Sequence, residues 1–305
     1  MPQSQRDVRN RINAVKNIEK IARALELVAA ARLRRAEQRI EALRPYADAI
    51  RRMTRQAAEA AGNVPHLPIL HEHDQVNRVG LLLIAGDRGL AGAFNSNIVR
   101  AGVAAGREHE SQGHKALFFA SGRKPATSLT FRRLDPVESF TGFTDRPAYA
   151  DARRIAERLM AAYVDDEVDQ VEIFYNGYIS PVSQVVRRET LLPLQQATVL
   201  EEAEEDEQED REARRPEHQA LVEYEPDPEE ILKRLVPDYV EISIFRALLE
   251  STASEHGARM TAMRNASDNA RDLIKNLTLE MNRARQAEIT QEILEVVAGA
   301  EGLSG

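Results

Sequence analysis

The chain has 305 residues, of which 43% are hydrophobic and 30% are charged. This balance is ordinary for a water-soluble protein, and the length allows two domains with sizeable cores. Cysteine is absent, which excludes disulfides, thiolate metal sites and thiol switches. No apolar run approaches the roughly 18 residues of a membrane span, and residues 1–20 lack the pattern of a signal peptide, so neither is expected.

The charge is unevenly distributed along the chain. The net charge is −8, yet residues 1–60 contain 14 Lys and Arg against 7 Asp and Glu and so carry +7. A basic segment raises nucleic acid or an anionic membrane as possible partners. These charges recur all round a predicted helix, however, and no aromatic residues alternate with them. We therefore predict that nucleic acid is not a partner.

Residues 3–61 predict one long helix of about 85 Å. Its apolar residues recur at spacings of three and four, with one gap of seven, and so form a narrow stripe typical of a coiled coil. Pro45 interrupts the pattern, and we predict a bend there because the stripe resumes in register beyond it. Gly62 and Pro65 predict the helix end. The stripe consists of Val8, Ile12, Val15, Ala22, Leu25, Ala29, Leu33, Ala36, Ile40, Leu43, Ala47 and Ile50.

The last part of the chain predicts a second long helix. Asp227 and Pro228 have the residue types of a helix start, a break is expected at Pro237, and the stripe beyond it continues through Ile293 and Val297. Its most regular part consists of Met260, Met263, Ser267, Ala270, Ile274, Leu277, Met281, Ala284 and Glu288. At about 90 Å this helix matches the first in length. We predict that the two pair antiparallel and bury their stripes against each other.

Between the two helices the pattern changes to short apolar runs separated by helix-compatible stretches. The runs are Val79–Ala85, Lys115–Ala120 and Val171–Tyr175, and the helical stretches lie near 95–112 and 147–165. This alternation predicts a Rossmann-like α/β domain with a mainly parallel sheet. Asn176-Gly177 precedes the alternating run 185–192 and resembles a hairpin turn, which predicts an antiparallel pair at the sheet edge.

The predicted fold class is therefore mixed α+β and α/β, with a long antiparallel two-helix coiled coil from both chain termini and a central α/β domain. The boundaries are a first helix at 1–62, an α/β domain at 76–196 and a second helix at 227–305. Residues 197–226 form the remaining segment, in which Glu201–Glu212 has nine acids in twelve residues. Such a run repels itself, so we predict a disordered loop.

The segment Gly86–Asn95 is the most enzyme-like feature of the sequence. It follows a predicted strand and precedes a predicted helix, which is where loops that bind phosphate occur. It lacks the Gly-Lys-Ser/Thr of a P-loop, and its glycine spacing is not GxGxxG. We predict instead a tight turn in which Asp87 and Arg88 contact neighbouring residues or a partner.

Other candidate sites are weaker. His66, His71, His73 and Asp74 lie together after the first helix and have the residue types of a zinc site, but loop histidines beside prolines are usually solvated. No spacing of Ser, Thr or His suggests a nucleophile with its base. The sequence therefore predicts no metal, no cofactor and no catalytic residues.

A set of polar residues stands near the end of the second helix. Either this is an ordinary exposed helix face, or it is a surface that contacts loops of surrounding chains through directional hydrogen bonds. The set consists of Arg283, Arg285, Gln286, Thr290, Gln291 and Glu292.

Several ordered motifs resemble the gamma subunit of F-type ATP synthases. Arg11–Ala36 is similar to the opening helix of that family, and Ala266–Ala270, Asn282–Glu292 and Val297–Gly299 are similar to its closing helix. Three further motifs, at Arg44–Tyr46, Asp87–Asn95 and Tyr224–Pro228, follow the family in the same order. The likeness spans nearly the whole chain.

The resemblance implies a rotor with no catalytic site of its own. The paired helices would form a shaft inside the hexamer of alpha and beta subunits, and the α/β domain would form a foot on the membrane c-ring, with the epsilon subunit as a further partner. Proton flow would turn ring and shaft, and the shaft would drive the beta subunits through ATP synthesis. The implied location is peripheral, at the cytoplasmic face of a bacterial plasma membrane, with membrane contact only through partners.

The resemblance also implies residue roles. Leu25, Arg259, Arg285, Gln286, Thr290 and Glu292 match rotor positions that contact the surrounding subunits, and Asp87, Arg88 and Gly89 match a motif of the foot. The acidic run falls where chloroplast members carry a cysteine-based regulatory insert. Two alternatives remain: a free-standing coiled-coil scaffold, which leaves the motif order unexplained, and a nucleotide-binding enzyme, which depends on Gly86–Asn95 alone.

Overall fold

The computed structural model describes residues 5–61, 68–70, 73, 75–194 and 228–304. The predicted disordered run at 201–212 lies outside these residues. In chain order the elements are α1 (Gln5–Ala61), a 3-10 turn (Pro68–Leu70), β1 (Arg78–Ile84), α2 (Phe94–Ser111), β2 (Lys115–Ser121), α3 (Arg123–Phe131), β3 (Glu138–Phe140), α4 (Tyr149–Val164), β4 (Gln170–Tyr178), β5 (Gln184–Leu192) and α5 (Pro228–Ser304).

The chain divides into two compact units. The helical unit contains Met1–Ala30 and Arg259–Gly305, and the sheet unit contains Ala31–Ala258. The two long helices α1 and α5 each contribute residues to both units. The boundaries predicted from sequence follow element type instead, so they separate each helix from the sheet.

In the helical unit α1 and α5 run antiparallel, as predicted. Arg264 of α5 donates from Nε to Glu26 of α1 at 3.0 Å, and Arg271 donates from Nε to Glu19 at 3.3 Å. From the first ion pair to the second, the residue number rises by seven in α5 and falls by seven in α1. This is the relation expected of antiparallel helices. These exposed ion pairs flank the apolar stripe and show its register.

The predicted stripe is buried in the helical unit as far as Leu277, with Met281 half-buried, but its predicted continuation through Ile293 and Val297 is exposed. Val8, Ile12 and Leu277 form its apolar cluster, with Val15, Ile274 and Met281 packed against them. Further along, the stripe relies on the small residues Ala22, Ala29, Ser267 and Ala270. Small side chains at these positions let the two helices approach closely.

Helix α5 is longer than predicted, because it continues through Pro237. The predicted break is wrong: Val236 and Val240 on either side of the proline are fully buried in the core of the sheet unit, and this packing outweighs the lost backbone hydrogen bond. With 77 residues α5 is about 115 Å long, against about 85 Å for α1 with 57 residues. The predicted match in length is therefore also wrong. Helix α1 continues through Pro45, where the bend stays a prediction.

The sheet unit contains one five-stranded sheet in the order β3-β2-β1-β4-β5. Strands β1 to β4 pair in parallel, and β5 pairs antiparallel with β4. The sequence predicted both the mainly parallel sheet and its antiparallel edge. The centre of the sheet is β1, whose residues after Arg78 are all buried because both of its faces are covered.

The predicted turn at Asn176-Gly177 is wrong, since both residues lie within β4. The buried Asn176 donates from Nδ2 to the carbonyl oxygen of Phe94 at 3.4 Å, so its amide serves packing against α2. Gly177 leaves room for Arg187, whose Nε would lie 2.5 Å from an added Cβ. The chain reverses instead at residues 179–183.

Two apolar cores cover the two faces of the sheet. On one face Leu82 and Ile84 of β1 pack with α4 and with residues of α1 and α5. On the other face Leu81 and Leu83 pack with α2 and α3. Alternate residues of one strand thus serve opposite cores, as the period of a strand requires.

Replacement of Leu277 by Asp tests the packing of the helical unit. Leu277 is 3% exposed, so an unpaired carboxylate there should lower the free energy of unfolding by roughly 3–5 kcal/mol. Denaturant unfolding of the full chain measures the change. Leu279→Asp is the matched control, because Leu279 is 59% exposed and should tolerate the charge. Equal effects of the two substitutions would show that the seam is misplaced.

Asp169 at the start of β4 gives a prediction of pH dependence. Its buried carboxylate accepts from the backbone N–H groups of Asn77 and Arg78, both at 2.7 Å. Burial opposes ionisation, but these amides and the Arg78 guanidinium outweigh it and hold the pKa of Asp169 below its ordinary value of 3.8. A lowered pKa stabilises the fold above the ordinary value, and this stabilisation is lost as the pH falls through the folded-state pKa.

Asp169→Asn should therefore lower the free energy of unfolding by about 1–3 kcal/mol at neutral pH. The difference from the unsubstituted chain should shrink below pH 3.8. Denaturant unfolding at a series of pH values measures it, with the exposed Asp135→Asn as control. A difference that stays constant across the acid range would contradict the role given to the carboxylate.

Candidate functional site

Asp87 connects three loops at the carboxyl edge of the parallel strands. It lies in the β1–α2 loop (residues 85–93). Its carboxylate accepts from the backbone N–H groups of Arg123 and Gly142, both at 2.9 Å. It also accepts from the N–H of Thr144 at 3.3 Å and from its Oγ1 at 3.0 Å. Each oxygen of Asp87 is thus engaged by neighbouring segments of the sheet unit.

The contact with Arg123 caps α3. The residue before this helix is Gly122, which has no side chain to cap it, so the carboxylate of Asp87 does so from another loop. A negative charge at a helix N-terminus is favourable. Gly122 has a φ of +107°, and an added Cβ would lie 2.3 Å from the carbonyl oxygen of Ala85, so only glycine fits.

Asn95 closes the β1–α2 loop. Its Oδ1 accepts from the N–H of Gly86 at 2.8 Å, and its Nδ2 donates to the carbonyl oxygen of Arg88 at 3.1 Å. The N–H of Asp87 donates to Oγ1 of Thr144 at 2.9 Å, so the backbone donors of Gly86 and Asp87 are both used within the fold. The arrangement favours the interpretation as a tight structural turn over that of a phosphate loop. Gly89, the third residue of the motif, belongs to the same turn.

Arg88 takes part in an ion pair that the sequence did not predict. Its Nη1 lies 3.4 Å from Oδ2 of Asp145, in the β3–α4 loop (residues 141–148). Arg32 of α1 donates from Nη1 to the same oxygen at 2.9 Å. Asp145 is separated from Arg32 by 113 residues, so no local pattern could predict the pair. The composition Thr-Asp-Arg-Pro at 144–147 signals a loop but not its partners.

The predicted contact residues of the rotor lie in the helical unit. Leu25 is half-buried and Arg259 is 9% exposed, whereas the four residues near the end of α5 are exposed. Of these four, Thr290 donates from Oγ1 to the carbonyl oxygen of Gln286 at 2.8 Å, a bond within the helix. The structure thus places Arg285, Gln286, Thr290 and Glu292 together on one solvated segment and keeps Leu25 and Arg259 apart from them.

The same segment of α5 also exposes apolar side chains. The register with α1 places residue 285 of α5 near the first described residue of α1, so α5 continues beyond the part of α1 that the structure describes. Five apolar residues there are 47–71% exposed: Ile289, Ile293, Leu294, Val296 and Val297. Apolar and polar groups exposed on one helix end are typical of a protein contact surface.

Of the four residues of the candidate zinc site, the structure describes only His73. His66, His71 and Asp74 lie outside the described residues, and Nδ1 of His73 lies 3.5 Å from Oδ1 of Asp166. Among the residues that the structure does describe, no group of three potential metal ligands occurs. No described helix is both long and apolar enough to cross a membrane.

Asp87→Asn tests the connection of the three loops. The amide keeps one acceptor oxygen but places N–H donors against backbone N–H donors, so the free energy of unfolding should fall by about 1–3 kcal/mol. Amide exchange at Arg123 and Gly142 should rise at the same time. Asp135→Asn, at an exposed site of the same unit, is the control. Unchanged exchange at both amides would exclude the capping role.

Comparison with known proteins agrees with the fold. The sequence matches a family model described as ATP synthase over residues 4–303. It is 44% identical over 304 residues to the ATP synthase gamma chain of Rubrobacter xylanophilus, with 99% of each chain covered. It is 39% identical over 302 residues to that of Desulfitobacterium hafniense, with 98% of this chain and 99% of the other covered.

Solved structures show the same architecture. The central stalk and c-ring structure of the Tetrahymena thermophila mitochondrial ATP synthase matches with a TM-score of 0.58 and 25% identity, covering 81% of this chain and 99% of the other. The rotor of the Euglena gracilis enzyme matches in fold with a TM-score of 0.63 and 18% identity, covering 93% and 98%. The chain therefore belongs to the ATP synthase gamma chain family, the rotor subunits of F-type ATP synthases.

Proposed function

We propose that the chain couples proton-driven rotation of a membrane c-ring to ATP synthesis and hydrolysis at beta subunits. The observation that carries this proposal is the end of α5, which exposes apolar and polar side chains beyond the part of the helix that is paired with α1. A single helix with this surface requires a surrounding partner. The hexamer of alpha and beta subunits supplies one.

The proposed contacts with the hexamer involve both polar and apolar side chains. Arg285, Gln286 and Glu292 are exposed and long enough to bond with loops of several different subunits. Leu25 and Arg259 would contact the hexamer further along the helical unit. Because the helix pair has no rotational symmetry, each catalytic subunit would meet a different face of it, and differential contacts of this kind bias a multistate element.

We assign to the sheet unit the contact with the c-ring and the epsilon subunit. Asp87 and Arg88 would act there as structural residues that hold the loops at the carboxyl edge of the sheet. The chain itself would contribute no catalytic residue, cofactor or metal, since the backbone donors of Gly86 and Asp87 in its phosphate-like loop bond within the fold. The proposed location is peripheral, on the cytoplasmic face of a bacterial plasma membrane, with attachment only through partners. Bacterial relatives support this assignment.

Co-assembly tests the proposed function directly. The tagged chain should recover alpha and beta subunits from its own cells, and the reconstituted complex should hydrolyse ATP while the isolated chain does not. A scaffold protein would self-associate instead, and a nucleotide-binding enzyme would bind ATP alone. Recovery of neither alpha nor beta subunits would overturn the proposal.

A double substitution in α5 tests the proposed contacts. Arg285→Ala with Gln286→Ala removes two exposed side chains from the segment beyond α1, and should raise the dissociation constant for the hexamer on the order of ten-fold. Titration of labelled hexamer with the chain measures the affinity. Lys275→Ala is the control, because Lys275 already pairs within α5 with Asp272 at 3.0 Å. Equal affinities for both variants would remove these residues from the interface.

A further inference from the structure

The β3–α4 loop is held by both long helices of the sheet unit. Helix α1 reaches it twice: Arg32 bonds with Asp145 at 2.9 Å, and Arg39 donates from Nη2 to the carbonyl oxygen of Pro147. Helix α5 reaches the same loop at Thr144, the residue before Asp145. There, the buried Oγ1 of Thr252 lies 2.9 Å from the carbonyl oxygen of Thr144.

The loop is also joined to the edge of the sheet. Asp87 accepts from Gly142 and Thr144 of the loop, and Arg88 pairs with Asp145 at 3.4 Å. Asp145 therefore lies between an arginine of α1 and an arginine of the β1–α2 loop. Its Oδ1 is buried and has no hydrogen-bond partner among the described residues, so both ion pairs use Oδ2.

The geometry of the two arginines restricts motion of α1. Arg32 and Arg39 are seven residues apart, so they lie on one face of the helix, two turns or about 10 Å from each other. One contact would leave the helix free to pivot about it. Two contacts on one face resist both rotation of α1 about its axis and sliding along it.

Elsewhere in the sheet unit α1 packs mainly through apolar side chains, and the hydroxyl of Tyr178 in β4 also donates to Glu37. Ala47 and Ile50 lie in the core shared with α4 and α5. These apolar contacts keep the buried side of the helix against the core, but they tolerate small rotations because no single apolar contact is directional. The directional hydrogen bonds at Arg32 and Arg39 add resistance to these small rotations. Burial of part of each pair also limits screening by salt.

We propose that the β3–α4 loop is a torsional clamp, in which Arg32 and Arg39 are positioning residues that transmit torque between the sheet and α1. This inference rests on the proposed rotor function. A rotor driven at its foot delivers torque to its shaft only if the two cannot twist freely against each other. The clamp makes that link at the carboxyl edge of the sheet.

The test measures torsional stiffness in the assembled complex of hexamer and full chain. Because the chain has no cysteine, Gln112→Cys at the exposed end of α2 attaches a single rod-shaped probe to the sheet unit. The hexamer is fixed to a surface, and a non-hydrolysable ATP analogue stalls it. The variance of the probe angle then varies inversely with the stiffness of the rotor.

The double variant Arg32→Gln with Arg39→Gln should increase this angular variance roughly two-fold or more. Lysine at both positions keeps the charge and should recover part of the stiffness, which a merely steric role would not predict. Arg35→Gln is the matched control: Arg35 is exposed on the same helix and has no ion pair or hydrogen bond with another described residue. It should leave the variance unchanged.

The outcomes separate the clamp from the proposed function. Failure of the unsubstituted chain to rotate when ATP is added would contradict the rotor function. Rotation of that chain with equal variance in the glutamine double variant would overturn the clamp. Should the double variant not assemble, amide exchange in its full-length free chain decides. Exchange in residues 141–148 must exceed that of the Arg35→Gln chain, and equal exchange overturns the proposal.

Discussion

The burial of two narrow helix stripes is the constraint on which the rest of the structure depends. Neither α1 nor α5 has enough apolar surface to be stable alone, because most long helices obtain their stability from packing. In the helical unit each stripe covers the other, and alanines such as Ala22 and Ala270 allow close approach. In the sheet unit both helices enter the core on one face of the sheet. Each long helix contributes residues to both units.

The elements that have a periodic apolar pattern were predicted correctly from the sequence. The stripes of α1 and α5 and the strand runs follow from spacings of three and four or of two. The antiparallel edge was predicted from the Asn176-Gly177 turn, so that prediction was right although its turn was wrong. Helix α3 escaped prediction because Pro125 and Thr127 are weak helix formers and because its cap, Asp87, comes from another loop. Strand β3 is only three residues long and carries too little pattern.

Predictions that depended on single residues were wrong where tertiary contacts outweigh the local preference of the residue. Pro237 has the local character of a helix stop, yet buried neighbours hold the helix together around it. Asn176-Gly177 has the composition of a turn, yet its amide and its missing side chain serve contacts with α2 and β5. The contacts of the β3–α4 loop join residues 55 to 113 positions apart, so they leave no local signal at all. The candidate contact residues on α5 were found by resemblance and not by chemistry.

The antiparallel pair also has a consequence for synthesis of the chain. The ion pairs of the helical unit join residues separated by 238 and 252 positions, so α1 leaves the ribosome long before its partner exists. At the ~5–20 residues per second of translation, the wait lasts roughly 10–50 seconds. During that interval the stripe of α1 is exposed to other nascent chains. Its dense positive charge, +7 over residues 1–60, keeps copies of α1 apart by mutual repulsion until α5 arrives.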